Sequence, residues 1–306
     1  MNMKLTARKS VTGFLLVLPM MLGFLALYAV PFAMVVANSA TQGIASNLRW
    51  VGLENIRRLL HNGLFRLAFA NTAKFLLVGI PLLLVVAYAI ALVVKKYAFQ
   101  FRAVRSVLLM PYIMPLVGSV VLVDAVFSPA GGLAELAQAL GLPAADWLHS
   151  DLAFWVVVLL FLWKSAGYGV ILLLSGLATI DEVQYDAAEL DGANAWMQLR
   201  YITVPQMWYS VYFTAVFSLI NAFKCFREVF LLGGNHPNDS IYMLQHFINN
   251  TFQNLNYPKL ASASIVLFVV MSAVFALLYR WVLKKEEMPS DAAREYLAVL
   301  DRQSQR

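Results

Sequence analysis

The sequence predicts an all-α polytopic membrane protein with six transmembrane helices and both termini in the cytoplasm. Three observations support this fold class. The 306 residues are 61% hydrophobic and only 13% charged, whereas soluble domains have about a quarter of their residues charged. Six apolar runs are long enough to cross a bilayer. Lysine and arginine concentrate in alternate connections between those runs, which fixes the predicted orientation.

The six apolar runs differ in how many polar residues they contain. Val11–Ala37 has 27 residues without a charge, longer than the roughly 7–15 residue core of a signal peptide, so we expect a retained membrane helix. Phe75–Val94 and Leu260–Tyr279 are also free of charge. The other three are Ser106–Val123, Leu152–Leu174 and Met207–Leu231. The two prolines of LLMPYIMPLVG predict a kinked or broken helix in the third span.

The positive charges place both termini inside. The inside segments hold Lys4, Arg8, Lys9, Lys95, Lys96, Arg102, Arg105, Arg200, Arg280, Lys284, Lys285 and the arginines of the tail. The outer connections 128–151 and 233–258 contain no lysine or arginine. The first outer connection is an exception, and its sequence WVGLENIRRLLHNGLF predicts a short amphipathic interfacial helix. The predicted domains are a cytoplasmic N-terminus at 1–10, a transmembrane domain at 11–283 and a cytoplasmic tail at 284–306.

A polar loop at 181–206 separates the fourth and fifth spans. Its residues predict a helix over Asp181–Leu190, a tight turn at Gly192 and a second helical piece over Ala193–Tyr201, which Pro205 stops before the next span. In the tail, Ser290 or Asp291 after Pro289 predicts the start of a separate short helix. The amide-rich segment after the fifth span predicts another short helix, with an apolar face at Met243, Phe247 and Ile248.

The loop at 181–206 carries a spaced motif, Asp186-Ala187-Ala188, three residues, Gly192, nine residues, Ile202, one residue, Val204-Pro205. It resembles the EAA loop of binding-protein-dependent ABC importer permeases, with Asp186 in place of glutamate and Val204 in place of leucine. The segments VGLENIRRLL, FRAVRSVLLMPYIMP and LWKSAGYGVILLLSGLATID also look like the larger-partner permeases of oligosaccharide importers of the maltose and glycerol-phosphate type.

This resemblance implies the fold of a type I ABC importer permease in the plasma (inner) membrane. It implies four kinds of partner besides membrane lipid: a second, homologous permease subunit, two cytoplasmic ATPase subunits and an extracytoplasmic solute-binding protein. The loop would then be the coupling helix that contacts an ATPase. The coupling residues that it implies are Asp186, Ala187, Ala188, Glu189, Asp191, Gly192, Ala193, Ile202 and Pro205.

The sequence contains no catalytic or nucleotide-binding signature. It has no Gly-Lys dipeptide and therefore no Walker A phosphate loop. The four histidines and the single Cys225 do not follow zinc-ligand spacing, and no basic stripe with interleaved aromatics predicts nucleic-acid binding. We expect this chain to bind no cofactor or metal and not to be an enzyme, with ATP and Mg²⁺ in the partner subunits.

Polar residues at membrane depth are the candidates for solute contact. Lys164 lies about 18 Å into the fourth span by helical rise, near the midplane. Thr214, Ser218, Asn221, Lys224, Cys225 and Glu228 share one face of the fifth span. Two readings of that face stay open, a structural pair of Lys224 with Glu228 or contact with solute. The resemblance adds Gly167, Tyr168, Ser218, Asn221, Ala222 and Cys225 as residues of a sugar site.

The predicted function is that of a membrane-spanning permease subunit of an ATP-driven importer of a sugar or oligosaccharide. The charges of the fifth span leave open an acidic sugar or a sugar phosphate. Alternatives are an importer of an amino acid or polyamine, or an ion-coupled secondary carrier, which would carry out transport alone and often shows internal repeats.

Overall fold

The computed structural model describes the backbone of residues 2–43, 47–97 and 102–304, and the side chains of residues 13–43, 47–97, 104–280 and 282. Helices make up most of this part of the chain, so the all-α class is confirmed. For the predicted cytoplasmic termini, 1–10 and 284–306, the structure describes the backbone of 2–10 and 284–304 but none of the side chains. In chain order the elements are α1 (Asn2–Phe24), α2 (Val30–Ser39), β1 (Thr41–Gln42), β2 (Arg49–Trp50), α3 (Glu54–Leu60), α4 (Gly63–Tyr97), α5 (Arg102–Ile113), α6 (Leu116–Phe127), α7 (Gly132–Ala139), α8 (Ala153–Leu177), α9 (Glu182–Leu190), α10 (Ala195–Gln198), α11 (Val204–Gln206), α12 (Trp208–Lys224), α13 (Phe226–Gly233), α14 (Leu244–Gln253) and α15 (Tyr257–Ser304).

The chain divides into two compact units. The first contains residues 1–66 and 248–271. Within it, α1 and α2 are joined by a π-helical turn at Leu25–Ala29, directly before Pro31, whose ring and missing N–H disturb the regular hydrogen bonds of the preceding turn. Phe32 packs against Phe268 with ring centroids 4.9 Å apart. The amide of Asn55 in α3 donates to the carbonyl oxygens of Ser39 and Thr41 and so ties α3 to the start of the β1–β2 ribbon.

The second unit contains residues 67–247 and 272–306 and is built around α8. This helix packs against both α5 and α12. In its most apolar 18-residue window 56% of residues are buried, against 0% for Gly13–Ser39. One hydrophobic cluster joins α8 to α4 through Phe161 and Phe75, whose rings meet edge to face at 5.4 Å. A second cluster surrounds Val170, Leu173 and Leu177 at the other end of α8.

Five helical stretches of the described chain are long and apolar enough to cross a membrane: Gly13–Ser39, Gly63–Tyr97, Leu116–Ala139, Ala153–Leu177 and Tyr257–Arg280. Four of the predicted spans correspond to continuous helical stretches among these. The third is broken between α5 and α6 at Met114 and Pro115, as the two prolines predict. The residue before a proline is disfavoured in the helical region, which accounts for the position of the break.

Two segments differ from the prediction, the fifth span in its continuity and the tail in where its helix begins. The expected fifth span, Met207–Leu231, is two helices of 17 and 8 residues that meet at Cys225, and neither reaches the length of a span by itself. No proline or glycine stands at this interruption. The tail does not start a separate helix at Ser290 or Asp291, because α15 continues from Tyr257 to Ser304 through Pro289. By contrast, the short helix predicted in the amide-rich segment is present as α14.

Candidate functional site

The loop at 181–206 begins with a well-capped helix and a left-handed turn. The side chain of Asp181 accepts a hydrogen bond from the Val183 amide and caps the N-terminus of α9. At the C-terminus the amide of Ala193 donates to the Ala188 carbonyl and that of Gly192 to the Glu189 carbonyl, which is a Schellman motif. Gly192 has φ +84, a conformation that favours glycine. The predicted helix and glycine turn are confirmed.

The second half of the loop differs from the prediction. Asn194 caps α10, and a π-helical turn at Leu199–Thr203 then carries the chain directly into α11. Pro205 is the second residue of α11, directly after that π-helical turn. It therefore does not end the helical segment, which is interrupted at Met207 instead.

Side-chain contacts hold the two halves of the loop together and join them to the long helices. The Tyr185 hydroxyl is hydrogen-bonded to the Thr203 hydroxyl at 2.9 Å. Lys95, at the end of α4, lies over the Tyr185 ring at 4.6 Å and donates to the Leu177 carbonyl. Ile202 packs against the hydrophobic cluster around Leu177. The loop is thus an ordered projection of the second unit, attached to both α4 and α8.

The free surface of the loop is apolar as well as charged. Leu190 is 91% exposed and Trp196 67% exposed. Asp186, Glu189 and Asp191 are exposed around the turn, as are Ala187, Gly192 and Pro205, whereas Ala188, Ala193 and Ile202 are half-buried. Sequence reasoning assigned docking to the small and acidic residues and missed Leu190 and Trp196. Large apolar side chains that are this exposed on an ordered helical loop are typical of a protein–protein contact.

A cavity of about 310 Å³ lies among α5, α6, α8, α12 and α13. Both interruptions in the long helices border it, the one before α6 and the one at Cys225. Five residues predicted from the sequence line it: Lys164, Asn221, Lys224, Cys225 and Glu228. The sequence reasoning missed three residues of the lining, Tyr112, Phe161 and Ser165. Arg227, one of the fifth-span charges that leave open an acidic sugar, also lines the cavity. Its wall is therefore mixed, with aromatic rings, hydroxyls, an amide and four charged groups.

A buried ion pair connects α8 to α13 at this cavity. Nζ of Lys164 lies 2.7 Å from Oε1 of Glu228, and the two side chains are 16% and 8% exposed. The possible pairing of Lys224 with Glu228 is not the one observed, because Glu228 bonds to Lys164, which lies 64 residues away in sequence. Lys224 is exposed. The other oxygen of Glu228, Oε2, is buried and has no hydrogen-bond partner within the described part of the chain.

The polar face of the fifth predicted span is turned inward, as its periodicity predicts. Thr214, Ser218, Cys225 and Glu228 are all buried. The hydroxyl groups of Thr214 and Ser218 donate to the Ser210 and Thr214 carbonyls, at 2.6 Å each. Both hydroxyls are therefore satisfied within α12, and only the last turns of this face, from Asn221 onward, meet the cavity.

Four residues predicted for the sugar site lie outside the cavity lining. Gly167 packs so closely against the backbone of α5 that a Cβ atom would overlap the Leu108 carbonyl. Ala222 belongs to the hydrophobic cluster around Phe161, and Ser218 bonds within its own helix. The Tyr168 ring stacks on Tyr112 at 4.9 Å, which leaves Tyr112 as the tyrosine at the cavity wall.

His246 of α14 is a buried histidine outside the candidate spans. Its Nδ1 accepts a hydrogen bond from the Met243 amide, and its ring meets the edge of Phe226 at 4.7 Å. Burial, with a smaller effect of His236, lowers the pKa of His246 to about 4. The side chain is therefore neutral at pH 7.

The sequence of residues 14–287 matches the model of a single family, described as the binding-protein-dependent transport system inner membrane component. The chain belongs to this family. The resemblance to binding-protein-dependent permeases, predicted from the loop motif, is confirmed. The predicted location in the inner membrane is confirmed as well. The family also confirms that the chain is a membrane component of a transport system and not an enzyme.

Individual relatives match over most of their length. The lactose transport system permease protein LacF of Rhizobium radiobacter is 28% identical over 278 residues, which are 87% of this chain and 91% of the relative. The trehalose/maltose transport system permease protein MalF of Thermococcus litoralis is 25% identical over 90% of this chain and 95% of its own.

A solved structure has the same fold. One chain of a bacterial ABC transporter involved in the import of the acidic polysaccharide alginate superposes with a TM-score of 0.77, at 21% identity. The match covers 92% of this inner membrane component and 98% of that chain. The chain thus has the same overall fold as one chain of an ABC transporter.

Proposed function

We propose that this chain is the membrane-spanning permease subunit of an ATP-driven importer for a sugar or oligosaccharide. The observation that carries the proposal is the mixed polar and aromatic cavity at the two interrupted helices. Tyr112 offers a ring for the C–H face of a sugar, and Asn221 and Ser165 offer hydrogen-bonding groups for its hydroxyls. Two of the relatives at 25–28% identity are named for disaccharides, which supports the same solute class.

The proposed topology has six spans with the N- and C-termini inside. In this topology α12 and α13 together form the fifth span, because 17 and 8 residues of helix provide about 37 Å at 1.5 Å per residue. The loop at 181–206 then lies in the cytoplasm, between the fourth and fifth spans. The amide-rich connection that contains α14 lies outside, where a solute-binding protein delivers its load.

The loop at 181–206 is proposed to couple this subunit to a cytoplasmic ATPase. Leu190 and Trp196 provide apolar contact area, while Asp186, Glu189 and Asp191 surround it with charges that orient the partner. Two ATPase subunits would hold ATP and Mg²⁺, and this chain would hold neither. Lys95 and Tyr185 join the loop to α4, and Lys95 also donates to the Leu177 carbonyl of α8. A displacement of the loop would therefore move α8, which is one of the helices that line the cavity.

The mechanism that follows is alternating access by rigid-body movement. A loaded binding protein docks outside while the ATPase pair closes on ATP, and the loop transmits that closure. The cavity is bordered by five helices of this chain alone. We therefore expect a second, homologous permease subunit to form the other side of the pathway. Hydrolysis of ATP would return the pair to the inward-facing state.

The test of this proposal is the ATPase activity that purifies with the chain from its native membrane. Gly192→Pro requires φ near −65° where the loop has +84°, so this variant is expected to lose or uncouple the activity. Gly192→Asn is the matched control, because asparagine tolerates the left-handed conformation better than other residues. A chain that purifies without an ATPase, or a Gly192→Pro complex with normally stimulated activity, would contradict the coupling role.

A further inference from the structure

The cavity between α5, α6, α8, α12 and α13 contains more positive than negative charge. Three cations line it, Lys164, Lys224 and Arg227, with one carboxylate, Glu228. Lys164 and Glu228 neutralise each other at 2.7 Å. Within the side chains that the structure describes, neither Lys224 nor Arg227 forms an ion pair. Both side chains are exposed, so two solvated positive charges without an ion-pair partner among the described side chains line the cavity.

Glu228 does not offer a free carboxylate to the occupant. It is 6% exposed, its Oε1 atom accepts a hydrogen bond from Lys164, and its Oε2 atom is buried. The charge that the occupant meets is therefore set by Lys224 and Arg227.

We propose that the solute of this cavity is an anionic carbohydrate, bound through its acidic group by Lys224 and Arg227 and stacked with its ring on Tyr112. This inference rests on the proposed function and narrows its solute class. A neutral sugar would give the two cations no counter-charge. A simple anion would bring no sugar ring to stack on Tyr112, so only an anionic sugar suits both the cations and the aromatic part of the wall.

The remaining wall fits a sugar ring with an acidic substituent. Tyr112 is 36% exposed, and Tyr168 stacks behind it, so the ring is held as a rigid platform. The volume of about 310 Å³ is at the lower end of the roughly 300–1,000 Å³ typical of small-molecule pockets, which suits one or two sugar units. The names of the relatives do not decide the charge, since they include lactose, trehalose and maltose as well as acidic alginate.

The test is ATP-driven uptake into vesicles that contain the whole importer with its binding protein. The vesicles contain phosphatidylcholine alone, so that no anionic lipid headgroup is present to bind Lys224 and Arg227. The probes are disaccharides of matched linkage that end in glucose, glucuronate or glucose 6-phosphate. The double variant Lys224→Gln/Arg227→Gln removes both of these positive charges. Arg66→Gln/Arg280→Gln is the matched control, because both arginines are exposed and line none of the described cavities.

The expected result is uptake of a charged disaccharide at least tenfold faster than its neutral counterpart. The Lys224→Gln/Arg227→Gln variant should lose at least tenfold in kcat/KM for that solute, as the loss of charge-assisted hydrogen bonds implies, and the control should stay within twofold. If adding phosphatidylglycerol to the vesicles abolishes the preference, a lipid headgroup competes for the same cations, which agrees with an anion site.

Uptake of the neutral disaccharides alone, unaffected by Lys224→Gln/Arg227→Gln, would overturn the anionic solute and leave the proposed importer of sugars intact. A second outcome would overturn both the anionic solute and the proposed sugar importer. In it, none of the probes is taken up, and the binding protein stimulates ATP hydrolysis only with a non-carbohydrate solute. The two failures are therefore distinguishable in the same preparation.

Discussion

Removing one partner of the buried Lys164–Glu228 ion pair should destabilise the protein far more than removing both. Unit charges 2.7 Å apart attract by about 6 kcal/mol at an effective dielectric constant of about 20. The cost of taking both ions out of water offsets most of that attraction, so a pair of apolar residues of similar volume is close to neutral. A single replacement instead leaves one buried charge unpaired, at a cost of about 3–5 kcal/mol.

A double-mutant cycle of Lys164→Met and Glu228→Met measures this difference. We expect each single variant to lower the free energy of unfolding by about 3 kcal/mol or more and the double variant to recover most of the loss. The assay is reversible unfolding by sodium dodecyl sulfate in mixed micelles. Lys96→Met removes an exposed lysine and should change the free energy by less than about 0.5 kcal/mol. Additive single effects, with a coupling energy near zero, would refute the reasoning.

Three further predictions concern the loop, helix packing and pH. Leu190→Glu should leave folding unchanged, because the side chain is 91% exposed, but should weaken binding of the purified ATPase about tenfold or more; unchanged binding would exclude Leu190 from the contact. Gly167→Ala should prevent stable folding, because its Cβ would overlap the Leu108 carbonyl, whereas Gly118→Ala meets only a side chain at 3.7 Å and should be tolerated; equal yields of folded protein would contradict the close packing of α5 on α8. The pKa of His246 is lowered to about 4 in the folded chain from about 6.5 when unfolded, so its contribution is present above pH 6.5 and is lost as pH falls towards 4. Wild type should lose about 2 kcal/mol more stability than His246→Gln between pH 7 and pH 5, and equal losses would refute the assignment.

Features that depend on local sequence could be predicted. Pro111 and Pro115 predict a kinked or broken third span, and the chain breaks before α6 at Pro115. Gly192 predicts a left-handed turn, and its φ is +84. The periodicity of the fifth span predicts one buried polar face, and Thr214 and Ser218 are buried on it. In each case the physical cause lies within a few residues of the feature.

Features that depend on which helices meet could not be predicted in the same way. Glu228 has a possible partner one turn away in Lys224, and only the packing of α13 near α8 gives it Lys164 instead. Tyr168 was expected at the solute site, but stacking on Tyr112 places the other ring at the cavity. No proline or glycine lies next to Cys225, so the interruption there could not be predicted from the sequence. Most residues of the candidate site could thus be predicted from their polarity at membrane depth. Which of them contact each other could be seen only in the structure.

The most direct test of the account is uptake of a labelled sugar into proteoliposomes that contain the chain with its ATPase and permease partners. The account predicts uptake only when the binding protein is outside and ATP and Mg²⁺ are on the side of the 181–206 loop, with loss of uptake in the Gly192→Pro variant. Uptake by the isolated chain, driven by an ion gradient and indifferent to ATP, would contradict the account and identify the chain as a secondary carrier.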